Sequence, residues 1–194
     1  MKKTEIIQET KWSIDSTHSE IGFKVRHLMI SNVKGTFKKF DASIYTTEKD
    51  FTTATVDLWI DAASISTGDD SRDEHLKGPD FLDVTKYKQI SFTSSTIGKP
   101  DHSGNQELWG ELTIKEVTKN IKLNIQFGGT ATDPWGNEKA GFTVTGKINR
   151  SEWGLVWNTA MDAGGIMVGD EISVLCEIEL IYQVNSKEKM VLEA

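Results

Sequence analysis

From Glu20 to Met29 the chain alternates. Ile21, Phe23, Val25, His27 and Met29 share one parity, while Glu20, Gly22, Lys24 and Arg26 share the other, with Leu28 as the exception. A two-residue period is that of an extended strand, whose successive side chains point to opposite faces, so this segment predicts a strand with one apolar and one wetted side. After a turn region at Asn32–Gly35 a second strand follows. Gly35 and Phe37 set one phase there, and Phe40, Ala42 and Ile44 resume it one residue out of step, which predicts a β-bulge and a long bent hairpin.

The same alternation recurs downstream. Thr53–Asp61 places Ala54, Val56, Leu58 and Ile60 on one face, Ile90–Ile97 follows, and Glu107–Ile114 aligns Leu108, Gly110, Leu112 and Ile114. Lys115–Thr118 is a turn-sized gap before Ile121, Leu123, Ile125 and Phe127, which predicts a hairpin. Gly128–Gly136 reads as a loop, Phe142–Ile148 as a strand, and the last strand runs from Ile172 through Val174, Cys176, Ile178 and Leu180. The period changes over residues 69–77. Asp69 and Asp70 supply helix-start chemistry, His75 and Lys77 sit near the end, and Gly78–Pro79 stops a short helix. Phe81, Leu82 and Val84 then stand where they would plug one end of a sheet, and Gly164, Gly165 and Gly169 predict a flexible loop.

About eight strands, one helix and no βαβ alternation predict an all-β fold, an extended eight-stranded antiparallel β-barrel with the helix around residues 69–77. Closure removes the edges that so many strands would otherwise expose. The barrel is expected over residues 12–184, after an N-terminal extension of residues 1–11 and before a polar tail of residues 185–194.

Composition narrows the partners. A net charge of −7 over 194 residues disfavours nucleic acid, which is bound through clustered Lys and Arg. No window reaches the roughly 20 apolar residues of a membrane span. The opening MKKTEIIQETKW lacks the apolar run of a secretory signal, so a cytoplasmic location is expected. The single cysteine, Cys176, fits a reducing compartment and falls on an apolar phase, where a small buried hydrophobe is the default.

Catalytic chemistry is sparse. The four histidines, His18, His27, His75 and His102, show no spacing that zinc favours, and no metal or cofactor is expected. His18 lies in Asp15-Ser16-Thr17-His18-Ser19, where short polar side chains staple a turn. An enzyme acting on a lipid-like substrate through His18, His27 or His75 and a carboxylate is the alternative to a binding protein. Two features suggest a container. Small residues at Gly35, Ala42, Ala54, Gly110 and Gly146 on the inward phases leave room, although an eight-stranded barrel is either hollow or filled according to its side-chain volumes. Phe81, Trp153, Trp157, Met161 and Met167 lie in breaks between strands and suit a mouth or lid.

Trp12, Ile14, Asp15, His18, Ser19, Ile21, Phe23, Val25 and His27, followed by Gly35, Phe37 and Phe40, resemble the opening of the YceI-like family. Ser64-Ile65-x-Thr67, Asp73-x-His75-Leu76 with Asp80-Phe81, Ile90-x-Phe92, Gly110-x-Leu112-Thr113-Ile114, Arg150 with Gly154-Leu155-x-Trp157, and Gly169-Asp170-Glu171 continue in order. The resemblance spans roughly residues 12 to 182. It implies a lipocalin-like barrel that binds a long-chain amphiphilic lipid without catalysis: a polyisoprenoid such as an isoprenoid quinone or prenyl diphosphate, or a fatty-acid amide. It also implies a homodimer, and a lipid carrier implies transient membrane contact. The expected ligand contacts are Phe23, Val25, His27, Phe37, Phe40, Ile65, Phe81, Phe92, Leu112, Trp153, Trp157 and Met161. His27, Asp15 or Asn158 would select a neutral head group, and Arg26 or Arg150 a diphosphate.

Overall fold

A computed structural model describes the backbone of residues 4–159 and 167–192 and the side chains of residues 9–159 and 167–183. The strands are β1 (Thr4–Ile14), β2 (Glu20–His27), β3 (Ser31–Phe37), β4 (Phe40–Thr47), β5 (Asp50–Asp61) and β6 (Ile65–Ser66), then β7 (Gln89–Ile97), β8 (Asn105–Ile114), β9 (Val117–Thr132), β10 (Glu138–Asn149) and β11 (Val168–Leu192). Helix α1 (Asp70–Lys77) lies between β6 and β7. Asp69 caps it by accepting the Arg72 backbone N–H at 2.8 Å, the role its short oxygen-bearing side chain favours.

The ladders run in the order β1, β4, β5, β7, β8, β9, β10, β11, and β11 returns to β1, closing an antiparallel barrel of eight strands. The remaining three, β2, β3 and β6, extend this circuit at one end. β1 and β2 lie along the same side of β11, through Ile14↔Leu180 and Ile21↔Cys176. The interruption between them is the Asp15–Ser19 turn, in which Asp15 Oδ1 accepts from the Thr17 backbone N–H at 3.1 Å and from its hydroxyl at 2.6 Å. This is the local stapling that the sequence predicts.

The phase slip after Phe37 has a different origin from the bulge expected of it. Strand β3 ends at Phe37 and pairs with β2 and β6, whereas β4 starts at Phe40 and pairs with β1 and β5. The chain breaks at Lys38–Lys39 and changes neighbours, so parity restarts. The Gly128–Gly136 segment also departs from expectation. β9 continues to Thr132, and its ladder with β10 resumes at Gly141↔Gly129 after a register shift at Phe142↔Phe127. Its glycines accommodate an irregularity within a strand instead of starting a loop. The β8–β9 turn is tighter than the gap suggests, because Val117 already pairs with Ile114.

Inward-facing Phe40, Ala42, Ile44 and Ile60 are buried together with Ile90, Phe92, Leu108, Ile121, Leu123 and Ile125. The outward phases of the same strands are mostly polar, with Trp59 and Trp109 among them. This is the inverse of a membrane-spanning barrel, whose apolar band faces outward. Among the described residues no helix is long and apolar enough to cross a membrane. Among the described residues β6 pairs only with β3, and beside it α1 and buried Phe81 and Leu82 cover one barrel end. The segment is tied down by buried Asp73, which accepts from the Thr67 backbone N–H at 2.8 Å and from its hydroxyl at 2.5 Å.

Candidate functional site: an apolar cavity

The inward phases do not meet. They enclose a cavity of about 300 Å³, at the lower end of the range of small-molecule sites. Every barrel strand contributes: for example Ile14, Ala42, Leu58, Phe92, Leu112, Ile125, Val144 and Cys176 all line it. Cys176 is buried, and burial pushes its thiol pKa up to about 11, so it acts as apolar wall and not as a nucleophile.

The space does not arise where the glycines suggest. A β-carbon on Gly110 would lie 2.5 Å from Phe92 Cζ, one on Gly35 would collide with the Phe23 ring, and one on Gly146 with Leu123 Cδ2. Each glycine is already covered by a large side chain from the neighbouring strand. Ala42 and Ala54 do line the cavity.

Two polar side chains reach the lining, Gln106 and Arg150. Gln106 opens β8 and donates to the Gly98 carbonyl at 3.1 Å. Arg150 follows β10, at the other end of the barrel, and is 5% exposed. Its Nε donates to Gly169 O at 2.9 Å, Nη1 to Trp157 O at 3.0 Å and to Leu155 O, and Nη2 to Val168 O at 3.3 Å. All four acceptors are neutral carbonyls. Burial draws the guanidinium pKa down, and Asp170 opposes that shift. Among the described residues, one Nη2 hydrogen is left over from the five of a guanidinium.

Of the expected contacts, Phe23, Val25, Phe37, Ile65, Phe81, Phe92 and Leu112 line the cavity. The others lie elsewhere. Phe40 is buried in the core outside the lining, and Trp153, 1% exposed, donates its indole N–H to Leu112 O at 3.2 Å. Trp157 backs Phe81 from outside, with ring centroids 5.3 Å apart. His27 ends β2 at the hairpin turn, opposite Ser31. Met161, Gly164 and Gly165 fall outside the described residues. Among the head-group candidates, Asn158 accepts from the Met167 and Val168 backbone N–H groups and Arg26 is exposed, so Arg150 is the one that faces the cavity.

Gln106 was missed, although its place on the inward parity of β8 was a usable signal. Also missed was the aromatic group closing the far end: Phe51 lies 4.9 Å from Trp12 and from Phe142, and 5.7 Å from Phe127, between ring centroids. These residues come from strands distant in sequence.

Two histidines do pair with carboxylates, His18 Nδ1 with Asp15 Oδ2 at 3.0 Å and His75 Nε2 with Asp80 Oδ2 at 2.9 Å. Both imidazoles are outside the cavity, with side chains 63% and 42% exposed. Asp15, His18 and Glu179 lie close enough together to suggest cation ligands. Lys139 Nζ already occupies that centre, 2.6 Å from Asp15 Oδ2 and 2.9 Å from Glu179 Oε1.

A closed antiparallel barrel around an apolar cavity with two polar lining groups defines a lipocalin-like protein. The YceI-like domain model matches residues 12–180, and the chain belongs to that family. The UPF0312 protein SAB2563 of Staphylococcus aureus (strain bovine RF122 / ET3-1) is 34% identical over 164 residues, covering 84% of this chain and 92% of that protein. The YCEI protein of Campylobacter jejuni superposes with a TM-score of 0.65 at 33% identity, over 92% of this chain and 96% of that one. A polyisoprenoid binding domain from Saccharophagus degradans implicated in plant cell wall breakdown shares the fold, with a TM-score of 0.58 at 16% identity over 90% of this chain and 98% of that one.

Proposed function

We propose that this protein binds a long-chain amphiphilic lipid in the barrel interior and stores or carries it without catalysis. The observation that supports this is the lining itself, in which Gln106 and Arg150 are the polar exceptions among hydrocarbon side chains. Such a site gains free energy from burying an alkyl or isoprenoid tail, up to ~0.8 kcal/mol per methylene. At a discounted ~0.3 kcal/mol per heavy atom, every ten carbons that the cavity buries contribute about 3 kcal/mol, roughly a hundredfold in affinity. The polar groups then select the head. Arg150, with one free N–H, favours a head group that offers an oxygen acceptor, as a quinone, an amide or a diphosphate does. The polyisoprenoid binding of the Saccharophagus domain supports an isoprenoid ligand.

The test is organic extraction of the purified protein followed by mass spectrometry, with native mass spectrometry for stoichiometry. One lipid per barrel is expected, with Ala54→Trp losing it by filling the lined space. A barrel that neither co-purifies with a lipid nor takes up an apolar dye overturns the reading.

A further inference from the structure

The turn joining β2 to β3 has costly features in a free monomer. Leu28 and Met29 hold φ of 50° and 58°, the left-handed pair of a tight hairpin turn at which Asn-Gly is favoured because larger side chains are strained there. Apolar surface is presented at the same place. Met29 is 50% exposed and Ile30 79%.

Beyond Glu20, which opens β2, the charged residues of the hairpin behind this tip are all basic. Residues 21–39 hold Lys24, Arg26, Lys34, Lys38 and Lys39 and no Asp or Glu, in a chain of net charge −7. Lys24 stands directly opposite Lys34 across the ladder, a like-charge pair that destabilises a sheet. Among the described residues Lys24, Arg26, Lys34 and Lys38 make no ion pair, and Lys39 alone reaches Asp61, at 3.2 Å. The adjoining carboxylates of β11 are engaged elsewhere, Glu171 with Lys147 at 2.9 Å and Asp170 with Ser151 at 2.8 Å. Trp135 is more exposed still, at 84%, but its turn at the opposite barrel end is built on a carboxylate, Asp133, which accepts its backbone N–H.

We propose that Leu28–Ile30, with Arg26 and the Lys24–Lys34 pair behind it, docks on the surface of an anionic lipid bilayer. This deepens the lipid-binding reading, on which it rests for its purpose, by naming the source that loads the cavity. Apolar side chains enter the headgroup boundary while the cations behind them meet lipid phosphates, the division of labour of interfacial anchors. The docked tip stands at the cavity. Val25 and Val168 belong to its lining, and the Leu28 N–H donates to Met167 O at 2.8 Å. An alkyl chain leaving a bilayer at this tip meets Val25 and Val168, the lining residues beside it.

Flotation of the whole protein with vesicles of phosphatidylcholine, with and without phosphatidylglycerol, tests the proposal. Binding to the phosphatidylglycerol vesicles that weakens as salt is raised is expected, with far less to phosphatidylcholine alone. Lys24→Gln with Lys34→Gln should weaken it about fivefold per charge removed. Leu28→Asn with Met29→Gly relieves the turn, so it should melt at a higher temperature than the parent and yet bind vesicles more than ~10-fold more weakly. Wild-type protein that stays unbound, binding indifferent to phosphatidylglycerol, or the turn variant floating like the parent would each overturn the proposal. Apolar dye uptake in the same samples separates the two readings. A barrel that takes dye but not vesicles loses the docking surface alone, and one that floats but takes no dye loses the cavity reading.

Discussion

Phe92 lies over Gly110, so close that a β-carbon on the glycine would stand 2.5 Å from Phe92 Cζ and equally close to the Thr93 carbonyl. The glycine is the seat of the ring, and the ring is part of the cavity wall. Gly110→Ala should therefore push Phe92 into the lined space. Overpacking of this kind costs about 1–3 kcal/mol. Thermal melting should show the loss, and apolar dye titration should show weaker uptake. A variant with parental stability and dye affinity would mean that the ring has room to move outward.

Arg150, just after β10, joins Leu155 and Trp157 to Val168 and Gly169 at the start of β11 through their backbone carbonyls. Arg150→Lys keeps the charge but not the planar fork. It leaves buried acceptors unmet, each costing about 1–3 kcal/mol, so an unfolding free energy lower by more than about 2 kcal/mol is expected from urea denaturation. Arg26→Lys, on an exposed side chain, should stay within about 0.5 kcal/mol.

Lys139 and Asp15 form a pair whose side chains are 13% and 11% exposed. Burial would raise the Asp15 pKa, but hydrogen bonds from Lys139, Thr17 and His18 outweigh it and hold the carboxyl well below its ordinary 3.8. Hydrogen bonding to Asp15, opposed by burial, raises the Lys139 pKa above 10.5. The folded carboxylate value is depressed, so its contribution is present above the unfolded value and lost as pH falls through the folded one. The raised lysine value is lost only in strong base. Asp15→Asn should accordingly cost about 1.5–3 kcal/mol near neutrality, the range for hydrogen bonds to charged groups. The gap between variant and parent, followed by melting temperature, should close as pH falls below about 4. A gap independent of pH would assign the effect to shape instead of charge.

Much of this was legible in the residues. The parity of Ala54, Val56, Leu58 and Ile60, or of Ile121, Leu123 and Ile125, gives the inward face of β5 and β9, and of the seven expected contacts that line the cavity Phe23, Val25, Phe92 and Leu112 follow from strand parity. Asp69 marked the start of α1, and the Asp15–Ser19 turn was visible in its short polar side chains. Trp153 and Trp157 have no strand phase to orient them and stand behind the wall, while His27 shares the inward parity of β2 but falls at its last position, at the hairpin turn. The aromatic group around Phe51 was invisible because Trp12, Phe127 and Phe142 join it only across the closed sheet.

By itself the sequence determined an antiparallel all-β chain and which side of each strand is apolar, since alternation is a local property of extended backbone. Only the tertiary structure decided that β4 leaves β3 for β1, that Phe23, Phe92 and Leu123 fill the spaces above the glycines, and that Arg150 turns inward. Enclosed volume is a difference between the size of a closed sheet and the side chains reaching into it from strands far apart in sequence, and no single stretch of chain contains that difference.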